Sequence, residues 1–138
     1  MCIGFYVLCF FWVQFGAGDC GTDGRCRALT LTLITNYLTH HTRFLAEALY
    51  DRLGGGFHWI ETAPLRPERI ALGWRREPDR PYLLRSYEEK AALCRQLALE
   101  SDVVVLGSGS DRWIGPRLRR GRLTFRYAER WYKTGLPP

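Results

Sequence analysis

The sequence predicts an open α/β fold, a parallel sheet with helices on both of its faces. Three observations carry that expectation. From Arg27 onward, runs rich in aliphatic and β-branched residues alternate with segments of helical period, in the order strand, helix, strand, helix, strand, helix, strand. The run Asp102-Val103-Val104-Val105-Leu106-Gly107-Ser108 has an unbroken apolar centre, as a strand buried on both faces requires. The first strand, helix and second strand span a length suited to a parallel pair joined by a right-handed crossover.

Each element has its own local reason. Residues 28–35 (ALTLTLIT) alternate Thr with Leu and read as a strand. Residues 36–39 turn the chain, and Thr39 is placed to cap a helix that begins at His40. Phe44, Leu45, Ala48, Leu49 and Leu53 follow at helical spacing, with Arg43, Glu47, Asp51 and Arg52 on the other side. Gly54-Gly55-Gly56 stops that helix, and residues 57–62 (FHWIET) form the next strand. Residues 63–81 hold four prolines and read as irregular, with a short helical turn near 68–72 and a short strand at 82–85. Ser86 and Glu89 have the spacing of a capping box, which opens a helix to about Glu100 with Tyr87, Ala91, Cys94, Leu97 and Ala98 inward. After the valine-rich strand comes the loop 107–110 (GSGS). A short helix disturbed by Gly115-Pro116 follows, then a strand over 123–127 (LTFRY). This is a Rossmann-like order, and ligands of such sheets bind beyond the carboxyl ends of the strands. Here those ends are residues 36–41, 61–64, 107–110 and 128–130.

The chain of 138 residues suffices for one domain and is too short for two of ordinary size. With 46% apolar and 25% charged residues, the composition is globular and excludes a disordered polymer. No unit recurs at a fixed period, which excludes solenoids and propellers. The net charge of +6 lies wholly within residues 111–133, where eight basic residues stand against Asp111 and Glu129. Such a stretch either attracts an anionic partner or forms a solvated face whose Arg stems cover apolar surface.

Residues 1–26 form a separate unit. Their first 18 residues (MCIGFYVLCFFWVQFGAG) are almost wholly apolar. A signal peptide normally carries a basic residue before the apolar run, and none is present. A membrane anchor would be at the lower limit of length and is interrupted by Gln14. Arg25 and Arg27 would then place the following domain on the cytoplasmic side. A misplaced start is the third reading, and the one the missing basic residue favours. The five cysteines, four of them in this segment, are odd in number and irregular in spacing, so no disulfide framework or zinc site is expected.

Chemistry-bearing residues cluster at the predicted strand ends. His40-His41 stands at the start of the first helix, where imidazole can act as a general base or meet an anion. Cap decoration and packing is the plainer reading. The pair is not H-E-x-x-H, so no metal is expected. Gly107-Ser108-Gly109-Ser110 matches neither phosphate-loop pattern and reads first as a flexible strand-to-helix loop. Glu129 and Arg130 follow the last strand, where an acid orients a hydroxyl or simply pairs with Arg126. No G-x-S-x-G elbow supports nucleophilic catalysis. Trp113 and Trp131 stand beside arginines without the pattern of an RNA-binding module, and no nucleic-acid partner is expected.

Five segments carry a family resemblance: 34–50 (ITNYLTHHTRFLAEALY), 57–74 (FHWIETAPLRPERIALGW), 81–88 (PYLLRSYE), 101–108 (SDVVVLGS) and 117–136 (RLRRGRLTFRYAERWYKTGL). Together they resemble the amino-terminal domain of bacterial glycosyltransferases with two Rossmann-like domains (the GT-B fold), of the family 1 and family 4 type. The resemblance implies an acceptor-side domain covering residues 27–138, with the donor-binding domain missing and the chain inactive alone. It implies a nucleotide-sugar donor, a glycan or glycolipid acceptor and no bound cofactor. The expected location is the cytoplasm, peripheral to or anchored at the inner face of the membrane. It points to His40 and His41 as catalytic candidates and to Asn36, Gly107, Ser108, Arg126, Glu129 and Arg130 as substrate-binding candidates. Residues 1–26 have no counterpart in that pattern. The alternative is a small basic α/β module that binds anionic lipid or nucleic acid through residues 112–133.

Overall fold

The computed structural model describes residues 28–88, 90–108 and 111–127. Five parallel strands form one sheet: β1 (Leu31–Thr35), β2 (Phe57–Glu61), β3 (Leu83–Arg85), β4 (Val103–Leu106) and β5 (Leu123–Arg126). Their spatial order is β3-β2-β1-β4-β5. Four helices connect them: α1 (His40–Leu53), α2 (Pro67–Ala71), α3 (Ala91–Glu100) and α4 (Ile114–Leu118). The fold is the Rossmann-like open sheet with helices on both faces.

Side-chain alternation along the strands sorts the core into two layers. Leu31, Phe57, Trp59, Leu83 and Val103 face α1 and pack with Ala46, Leu49, Tyr50 and Leu53. Ile34, Ile60, Leu84, Val104 and Leu106 face the other way, onto Cys94 and Ala98 of α3 and Ile114 of α4. Each such side chain removed from water contributes about 1.5–3 kcal/mol. The valine-rich strand lies inside the sheet, paired with β1 on one side and β5 on the other. On the α1 face the outermost strand stays open, with Leu123 51% and Phe125 44% exposed.

Several elements differ in detail from the sequence reading. The inward stripe of α1 is 46, 49, 50 and 53, a 3.6-residue period that leaves Phe44 outside with the Arg43 guanidinium 5.0 Å above its ring. Thr39 caps α1 as expected, and its partner is Thr42, each side chain answering the other's backbone N–H. Gly54 ends α1 with φ +51°, a conformation glycine adopts without a Cβ penalty. Ser86 does not cap the helix: α3 starts at Ala91 behind Lys90, which makes no side-chain cap bond, and Glu89 lies outside the described residues. The strand edge holds this segment in a turn instead. Ser86 N–H donates to the Glu61 carbonyl at 2.9 Å, and Glu88 pairs with Arg76. Gly115-Pro116 sits inside α4 and does not disturb it. Both residues fall in the first turn, where the missing proline N–H has no intrahelical partner to lose.

The amino edge of the sheet is laced shut. Thr30 donates through N–H and Oγ1 to Asp102 Oδ2 at 3.0 and 2.8 Å, and Arg122 donates to Asp102 Oδ1 at 3.1 Å. At the carboxyl edge the chain leaves β1 toward one face and β4 toward the other, which opens a crevice between the two strand tips.

Candidate functional site

The loop leaving β1 is fixed from below by a buried ionic network. Glu61, 2% exposed at the tip of β2, accepts the Leu38 N–H at 2.7 Å through Oε1. Its Oε2 accepts from Arg85 Nε at 2.9 Å and from the Tyr87 hydroxyl at 3.2 Å. Arg85, at the tip of β3, also bonds Asp79 and the Glu77 carbonyl. Burial alone works against the Arg85 charge, but the bonds to Asp79 and Glu61 outweigh it and raise its pKa. The same Arg85 bond holds the Asp79 carboxyl below its usual range.

On this base the loop is held closely. Thr62 and Ala63 donate their N–H groups to the Asn36 carbonyl at 3.2 and 3.0 Å, and Thr62 Oγ1 reaches Asn36 Oδ1 at 3.4 Å. His40 and His41 occupy the first two positions of α1, both exposed. Their rings lie 3.7 Å apart between centroids and meet Trp74 nearly edge-on at 5.7 and 6.3 Å. The N–H groups of Thr42 and Arg43 go to Thr39. Helix geometry leaves those of His40 and His41 outside the intrahelical ladder.

On the other side of the crevice, Gly107 donates its N–H to the Ile34 carbonyl at 2.7 Å. That N–H is therefore committed within the sheet. Ser108 follows as an exposed turn residue. Arg126 ends β5 at the same edge and pairs with Asp111. Glu129 and Arg130 lie outside the described residues, as do Gly109, Ser110 and residues 1–27. The structure thus brings Asn36, His40, His41, Gly107, Ser108 and Arg126 to one sheet edge. Within it the imidazoles turn toward Trp74, while Gly107 abuts the β1 tip.

Two clefts open at this edge, one on each face. The first, about 380 Å³, lies against α3 and is walled by Ile34, Ile60, Cys94 and Trp113 with Arg95 and Arg112. Cys94 is buried, and burial raises its thiol pKa, so it is no nucleophile. The second, about 450 Å³, lies between the first turn of α1 and the loop 73–78, with His40, Arg43, Arg75 and Arg76 on its walls. The sequence reading missed this second wall. A signal was present: Trp74-Arg75-Arg76 follows α2 after only Leu72 and Gly73, inside the proline-rich stretch read only as irregular.

Among the described residues of the basic stretch, Arg119 and Arg120 are exposed and the others are engaged. Arg117 is fully buried, Arg122 pairs with Asp102, Arg126 pairs with Asp111, and Arg112 lies 4.7 Å over the Trp113 ring. No helix among the described residues is long and apolar enough to cross a membrane. Among them there is also no group of three His, Cys, Asp or Glu placed to hold a metal ion. No family model, curated protein or solved structure matches this chain.

Proposed function

We propose that the chain is the acceptor-side lobe of a two-lobe glycosyltransferase, holding a glycan or glycolipid at its carboxyl edge for a nucleotide-sugar presented by a donor lobe. The observation that carries this reading is where two of the resembling segments fall. Residues 34–50 supply the end of β1, its loop and most of α1, and residues 101–108 supply β4 and its loop. The two meet at the crevice where the connections diverge, the place at which open α/β sheets take ligands. A carboxyl edge walled by imidazole, guanidinium and aromatic rings suits polyhydroxylated acceptors.

In the proposed reaction the acceptor hydroxyl oxygen attacks the anomeric carbon of the donor sugar. The new C–O bond forms as the bond from that carbon to the nucleoside diphosphate breaks, and the diphosphate leaves with the electron pair. The hydroxyl proton passes to a ring nitrogen of His40 or His41, since imidazole exchanges protons near neutral pH. Asn36, Ser108 and Arg126, with Glu129 and Arg130 beyond the described residues, orient the acceptor. The test is an incubation of the chain alone with a panel of nucleotide-sugars and glycan acceptors. Retention of an acceptor without net transfer is the expected result. Sustained transfer with no second lobe present contradicts the lobe assignment, and retention of no acceptor contradicts the acceptor role.

A further inference from the structure

We propose that the cleft between the first turn of α1 and the loop 73–78 binds the phosphate group of a small phosphate-bearing ligand. The site adjoins the β1–β4 edge and shares His40 with it, but its arginines come from α1 and the loop 73–78, so it stands whether or not the lobe reading holds.

The first reason is an unanswered donor. Arg43 Nε is buried and makes no hydrogen bond. Its nearest carboxylate, Glu47, stands 3.8 Å away, and Glu77 lies 3.7 Å from Arg43 Nη1. Both distances exceed hydrogen-bond length, so the two carboxylates meet Arg43 as ion pairs and leave its Nε–H without an acceptor. A buried N–H without an acceptor destabilises the fold, and a turn of the Arg43 side chain toward a ligand oxygen in the cleft would relieve it.

The second reason is charge. Arg43, Arg75 and Arg76 share the cleft with His40, against Glu77 as the acid of the lining. Arg76 is paired with Glu88 at 2.8 Å, while Arg80 goes to Glu47 at 3.5 Å. Arg75 has no ion-pair partner among the described residues. The first turn of α1 carries no acid, so the positive end of the helix dipole adds to the field. A carboxylate is satisfied by one guanidinium fork. Three guanidinium groups around one cleft suit a group with more oxygens and more charge, which phosphate and diphosphate provide.

The third reason is size. The cleft's volume, about 450 Å³, falls within the range of small-molecule sites. Trp74 lies between the lining residues Gly73 and Arg75 and meets the lining residue His40 edge-on at 5.7 Å, which places a reporter ring beside the cleft.

The probe is inorganic pyrophosphate, read by the indole N–H resonance of Trp74 in the intact chain and assigned with Trp74→Phe. A saturable shift is expected. Arg75→Glu and, separately, Arg43→Gln should each weaken it at least about tenfold. Arg52→Gln, in the last turn of α1, removes a similar charge far from the cleft and should leave the affinity within about twofold. A second arm uses phosphatidylcholine vesicles with and without phosphatidic acid. Co-sedimentation that needs phosphatidic acid and is lost in Arg75→Glu assigns the phosphate to a lipid headgroup. A pyrophosphate shift without such co-sedimentation assigns it to a soluble ligand. Absence of both responses overturns the proposal, and so does binding that Arg75→Glu weakens no more than Arg52→Gln does.

Discussion

A methyl group added at Gly107 would stand 2.8 Å from Thr35 Cγ2 and 3.3 Å from the Ile34 carbonyl oxygen. The absence of a side chain is thus what lets the tips of β1 and β4 close on each other. Gly107→Ala should lower stability by about 1–3 kcal/mol, the range for overpacking a tight site. Thr35→Ser in the same chain removes the clashing methyl and should restore part of the loss. Urea unfolding of the three variants checks both statements, and an unchanged midpoint in Gly107→Ala contradicts them. The sequence placed Gly107 at a strand end but could not show this contact, since Thr35 lies far away along the chain. The Glu61–Arg85 pair was hidden for the same reason. Each residue looked like an ordinary strand terminus, and only the β2–β3 register sets them side by side.

Among the elements, β5 depends on a single interior cation. Arg117 of α4, with 0% exposure, donates from Nη2 to the carbonyls of Ser101 and Leu123 at 2.9 and 2.7 Å. Its Nη1 reaches the Ala98 carbonyl at 3.1 Å, and its Nε reaches Thr124 Oγ1 at 2.9 Å. One side chain thereby caps the carboxyl end of α3 and fastens the edge strand. Burial is the main cause that lowers its pKa to about 10, and the positive charge of Arg122 adds to it. That value leaves Arg117 charged at neutral pH. Arg117→Met should cost about 3 kcal/mol, because buried carbonyls lose their donors. Amide exchange should show β5 losing protection before β1 does, whereas uniform loss across the sheet would contradict the clamp. Periodicity and turn chemistry made the strands and α1 legible to within a few residues at their ends. They failed at the start of α3, where the β2 and β3 tips captured Ser86 and Glu88, and at Gly115-Pro116, where position within the helix mattered more than residue type.

For the whole molecule, the open α/β class followed from the alternation of strand and helix, and with it the carboxyl edge at which such sheets take ligands. The charge distribution was less legible. Counting placed all the excess positive charge in residues 111–133, yet folding puts Arg117 inside and pairs Arg122 and Arg126 with acids. A second basic wall, at the cleft beside α1, comes from Arg43, Arg75 and Arg76, far along the chain from that stretch. Two edges of one sheet thus have opposite characters. The amino edge is closed by Thr30, Asp102 and Arg122, and the carboxyl edge holds both clefts. Backbone amide shifts of the intact chain, followed by NMR during titration with a panel of glycan oligosaccharides, test the acceptor-lobe account most directly. It predicts saturable shifts gathered on residues 36–41 and 107–108. Shifts centred on Thr30, Asp102 and Arg122, or no saturable shift with any glycan, would contradict it.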